Sequence, residues 1–74
     1  MGDMAVSSDE SKPYDQRFLE AMISHHQGAV EMALMAQQMA EQQEIKTLAA
    51  AIITAQQAEI AQMEAWLDAW FGGR

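Results

Sequence analysis

From residue 14 onward one stripe of positions recurs at alternating spacings of four and three: Phe18, Met22, His25, Ala29, Met32, Ala36 and Met39. A second stripe runs beside it through Leu19, Ile23, His26, Val30 and Ala33. Neighbouring stripes at these spacings make one broad, mostly apolar face on an α-helix. Continued past Met39, the first stripe would take in Gln43 and Lys46. The apolar pattern restarts instead at Ile45, Leu48, Ile52 and Ala55, with Ala49, Ile53, Ile60, Met63 and Leu67 alongside. Such a slip of about one residue turns the face by roughly 100°. It predicts a break within Glu41-Gln42-Gln43-Glu44, although that stretch holds neither Gly nor Pro. The rival is a single continuous helix of more than about fifty residues, whose apolar stripe would change sides midway.

The break gives helix 1 at about 14–42 and helix 2 at about 44–71, each roughly 42 Å long at the usual rise per residue. Asp15, just after Pro13, is a candidate N-cap, with Asp9 or Ser11 as earlier starts. Gly72 and Gly73 stop the second helix. Matched lengths and a short connection favour an antiparallel hairpin. Two helices cannot cover faces this wide. The expected fold is therefore all-α, with two hairpins packed into a dimeric four-helix bundle, a homodimer or a higher homo-oligomer. Trp66, Trp70 and Phe71 would cap one end of it or extend the contact.

Composition narrows this further. The chain has 74 residues, room for one domain, and no Cys, which excludes disulfides and thiolate metal sites. A chain this small buries only about 60% of its unfolded surface and usually needs a metal or a partner. Eleven acidic residues against four basic ones give a net charge of −7, and Lys12, Arg17, Lys46 and Arg74 are scattered. Nucleic acid is thereby disfavoured, since phosphate binding needs clustered Lys and Arg; a cation is the better partner. Residues 1–13 read as a disordered acidic leader, ahead of a hairpin domain at 14–74. They lack the apolar core of a signal peptide, and no apolar run is long enough to span a membrane.

The candidate chemistry lies on the apolar faces. His25 and His26 are adjacent in the two stripes of helix 1, with Met22 one turn before and Met32 about two turns after. Helix 2 carries Gln56, Glu59 and Met63 in its core-facing series. A buried carboxylate needs a partner, so Glu59 is expected to have one. In a hairpin turning near residue 43, level positions sum to about 86. His25 and His26 then stand level with residues 60 and 61, and Met22 with residue 64. Two imidazoles, two thioethers and a carboxylate would converge.

Imidazole suits copper, zinc, iron and nickel, while thioether sulfur favours Cu(I). Copper, as Cu(I) or Cu(II), fits the mixed set best, and zinc is compatible with the imidazoles. Glu59 would be a ligand or would orient a histidine, as Gln56 could. The plain alternative is packing: methionine commonly fills cores, and Glu59 could simply pair with a histidine. Met35 and Met39 read as core or dimer contacts.

The stretch Asp15-x-x-Phe18-x-x-x-Met22-Ile23-x-His25-His26-x-x-Ala29-x-x-Met32-Ala33 precedes Ile53-x-x-Gln56-x-x-Glu59-Ile60-x-x-Met63-x-x-Trp66-Leu67. In that order the two resemble the DUF305 family over about residues 14–71. The resemblance implies a ferritin-like helical bundle, in small bacterial proteins that are secreted, periplasmic or membrane-anchored and in some cases copper-binding. It implies that Met22, His25, His26, Met32, Glu59 and Met63 occupy the family's motif positions. Many members carry two hairpins or a longer chain, so a single copy would rely on a dimer. A di-iron carboxylate centre needs several inward Glu residues, and only Glu59 is a good inward candidate here.

The expected function is metal binding without turnover: copper sequestration or chaperoning through the His/Met cluster. The alternative is a metal-independent dimeric helical interaction module. Catalysis ranks last. Ser24 and His25 are adjacent on a helix and cannot form a nucleophile–base couple.

Overall fold

Ala, Gln, Glu, Met and Leu, all good helix formers, dominate the chain after Pro13. In the computed structural model, which describes residues 5–72, they build two helices, α1 (Tyr14–Met39) and α2 (Gln43–Phe71). The two pack against each other as an antiparallel hairpin, and every regular element among the described residues is helical.

The α1 cap is Pro13, whose carbonyl accepts the Arg17 N–H at 3.2 Å, and no side chain caps it. Asp15 therefore lies inside the first turn, where its charge complements the helix dipole, rather than at the N-cap. Asp9 caps a local turn instead, accepting from Ser11 N–H at 3.0 Å and from the Ser11 hydroxyl at 2.6 Å. The hydroxyl bond, then the amide bond, holds the Asp9 carboxyl below the ordinary aspartate range. Their stabilisation is therefore complete above that range and is lost as the pH falls through the lowered value. The Ser11 amide resonance should begin to move only below the pH at which a free aspartate titrates.

The described part of the leader is irregular but tied to α1. Arg17 donates to the carbonyls of Ser7 (2.9 Å) and Lys12 (3.1 Å), and Lys12 pairs with Glu20 at 3.3 Å. Residues 1–4, with Met1 and Met4, lie outside the described residues, as does Gly73.

The chain reverses over residues 40–42, so α1 stops at Met39 rather than near residue 42. Ala40 and Gln42 both adopt extended backbone, and no described residue other than glycine needs a positive φ. All the residues concerned are helix formers, so propensity does not mark this boundary; the pairing of the two helices sets it. Gly72 closes α2 with φ +37°, donating its N–H to the Asp68 carbonyl at 3.1 Å.

The two stripes have separate fates. The second one on α1 makes the seam: Leu19, Ile23, His26 and Ala33 are buried. They meet Ala49, Met63 and Leu67 of α2, with Met22, Ile60 and Phe71 half-buried against the core. Near the turn the buried seam residues are the small Ala33 and Ala49, while larger side chains fill the open end. The first stripe is only half covered, and Phe18, Met32, Met35 and Met39 join Ile45, Leu48, Trp66 and Trp70 as exposed apolar residues. Met35 and Met39 are thus not core in the single chain. The hairpin measures 47 × 22 × 14 Å, one helix thick. Its radius of gyration is 14.6 Å, against about 11 Å for a compact domain of this length.

Candidate metal centre

Met22 and His26 are one turn apart on α1, and Glu59 and Met63 are one turn apart on α2. Each pair therefore shares a helix face. The hairpin sets the pairs side by side, and all four residues line one hollow of about 300 Å³, together with Phe18, Gln62 and Trp66. His26 meets Glu59, within two residues of the level that the turn position predicts.

His26 is fixed from both sides. Its Nδ1 lies 2.8 Å from the Met22 carbonyl oxygen and its Nε2 lies 2.6 Å from Glu59 Oε1. Both partners are acceptors, so a neutral ring can donate to only one of them. With Nδ1–H on the backbone carbonyl, Nε2 turns its lone pair toward the hollow. A ring N–H held by a carbonyl is the usual way a ligating histidine is oriented. A metal ion at Nε2 would take the place of its present contact with Glu59, with that carboxylate and the two thioethers lining the same space. The donor set fits a soft or borderline ion. Among the described residues no three His, Asp or Glu side chains are grouped to hold a metal.

The other expected residues are placed differently. His25 is half-buried with its ring centroid 6.0 Å from that of His26, but it does not line the hollow, and its Nδ1 is buried with no hydrogen-bond partner. The 100° between adjacent helical residues separates the two rings. Met32 lies too far along α1: its side chain is 55% exposed and lines a different hollow near the turn. Gln56 lines that same hollow, and its Oε1 is buried without a partner, so it orients neither histidine through that atom. Glu59 was expected to be buried. Its side chain is 59% exposed, at the edge of the open face, from which it reaches in to His26.

Trp66 and Phe18 are wall residues that the sequence reading assigned only to packing. The signal was there: Phe18 precedes Met22 by four residues and Trp66 follows Met63 by three. Trp66 stacks on Trp70, with centroids 5.5 Å apart and planes at 7°, and Trp70 meets Phe71 edge-on.

A bare helical hairpin, with an imidazole, a carboxylate and two thioethers around one hollow, makes the chain a small all-α protein. Residues 15–74 match the family described as Domain of unknown function (DUF305), and the chain belongs to that family. Neither the curated proteins nor the solved structures supply a match.

Proposed function

We propose that this protein binds copper without turnover, sequestering or carrying the ion in a bundle built from two copies of the chain. The observation that carries this is the convergence of Met22, His26, Glu59 and Met63 on one hollow. His26 and Glu59 are the principal donors, Met22 and Met63 the soft ones, and His25 a further imidazole at the same height. Met32 belongs to the family motif but stands outside this hollow. The family resemblance also supports an extracytoplasmic location. No described helix is long and apolar enough to cross a membrane.

The second reading, a metal-independent dimeric interaction module, is favoured by the row of exposed apolar residues. One experiment separates the two. Metal-free protein, purified without a histidine tag, is titrated with Cu(I) against a competing chelator, in parallel with a His25→Ala/His26→Ala double variant. Saturable binding by the parent, weakened by more than tenfold in the variant, is the expected result. Equal affinities would remove the histidines from the site, and no binding by the parent would leave the interaction module.

A further inference from the structure

Three hollows lie along the uncovered face, and their order says what covers it. At the chain-end lies an aromatic one between Tyr14 and Phe18 on α1 and Trp66 and Trp70 on α2. The His26 hollow follows, sharing Phe18 and Trp66 with it. Near the turn is the largest, about 380 Å³, floored by Ala29, Ala33, Ala36 and Ala49 and edged by Leu48 and Ile52. One end of the face carries the aromatic rings, and the other has an alanine floor between larger aliphatic edges. His26 sits at the midpoint of α1 (Tyr14–Met39), and Glu59 close to the midpoint of α2 (Gln43–Phe71).

We infer that the face is covered by a second copy of this chain, related by a two-fold axis across both helices at the height of His26 and Glu59, so that copper is bound between the copies by donors from each. This rests on the copper reading. Seven residues beyond Glu59 toward the chain-end is Trp66; seven toward the turn is Ile52. Eleven residues either way give Trp70 and Leu48. A two-fold at this height therefore lays the tryptophans of each copy over the Ile52 and Leu48 trough of the other. Both ends fill at once, as an isologous contact requires. A two-fold along the hairpin would set ring against ring and trough against trough.

Each helix then packs on its own counterpart, and every neighbouring pair in the bundle is antiparallel. The footprint, 47 × 22 Å, is ample for the roughly 800 Å² per partner that stable interfaces bury. It also supplies the second layer that a hairpin one helix thick lacks.

Both His26–Glu59 pairs fall on the axis. The unpartnered Nδ1 of His25 and Oε1 of Gln56 belong to the same middle stretch. Three residues either side of Glu59 are Gln56 and Gln62, so each copy's Gln56 comes level with the other's Gln62. Two chains of charge −7 repel, and two Glu59 carboxylates meet at the axis. A copper ion between them offsets that repulsion. Metal and partner then strengthen each other's binding by the same factor, as linkage requires.

Sedimentation equilibrium and Cu(I) titration on the full chain test this with Leu48→Glu, at a position 56% exposed in the hairpin and far from every proposed donor. Trp70→Lys, 57% exposed, is the second variant. Expected are a micromolar or tighter dimer of the parent, tightened by copper, and helical monomers from both variants with at least tenfold weaker copper binding. A parent that stays monomeric with and without copper overturns the inference. So does a monomeric variant that keeps the parent's copper affinity, which would leave copper held within one chain. A parent dimer that binds no copper defeats the copper reading itself, and the shared site with it.

Discussion

Leu67→Ala is expected to remove a large share of the stability of the hairpin. Leu67 has 0% exposure and packs against Leu19, Ile23 and Met63. Truncating a buried leucine costs about 2–5 kcal/mol, the transfer term plus the cavity left behind. Folded chains of this size hold only about 4–11 kcal/mol in total. The loss should lower the thermal midpoint by some 12–24 °C, taking about 3 kcal/mol and the usual sensitivity of a small domain. Leu34→Ala is the control, at a position 48% exposed, and should cost under about 1 kcal/mol. Urea unfolding followed by far-UV circular dichroism, at one protein concentration, compares them. Equal costs at the two leucines would contradict the seam that places Leu67 at its centre.

That seam was half legible in the sequence. Two stripes on each helix were plain from their spacing, and so was the break between the helices, because a slip in phase needs no Gly or Pro to be visible. Which stripe faces the other helix was not plain. Leu19, Ile23 and Leu67 differ from Phe18, Leu48 and Trp66 in position around the helix rather than in hydrophobicity. Only the packing of the pair decides that the former are buried and the latter exposed. The end of α1 was hidden for a similar reason, since Ala40 and Gln42 are helix formers held extended in the reversal.

The site divides the same way. Height along a hairpin follows from the turn position, and that alone brought His26, Glu59, Met22 and Met63 together. Direction around each helix needs the crossing geometry. Met32 and His25 share a stripe with Met22, yet one opens into the trough near the turn and the other stands beside the hollow rather than in it. Glu59 read as buried because its neighbours in sequence are apolar. It is in fact the hinge between seam and open face, exposed in the hairpin and enclosed in the proposed dimer. In that proposed dimer a single chain would present the carboxylate to an arriving ion and a second chain would shut it in.

The second large effect is thermal. A ligand that binds only the folded state adds about 4 kcal/mol at a thousandfold excess over its dissociation constant. In a domain this small that raises the midpoint by roughly 16–32 °C. Cu(I) under reducing conditions should therefore move the melting curve far beyond any change in buffer, and the variants should divide the effect among the donors. Met22→Leu and Met63→Leu keep the volume and remove the sulfur, so the metal-free stability should fall by no more than about 1.5 kcal/mol. Their Cu(I) shift should shrink, because thioether sulfur selects the reduced ion, while a zinc shift should stay as it was. Glu59→Gln keeps an acceptor for His26 and removes the charge. Because the carboxylate is 59% exposed, its metal-free cost should be under about 1 kcal/mol, with the metal shift reduced for copper and zinc alike. His26→Ala should abolish both shifts. Methionine variants that match the parent in the Cu(I) shift would make Met22 and Met63 packing residues, and leave an imidazole–carboxylate site with no preference for the soft ion.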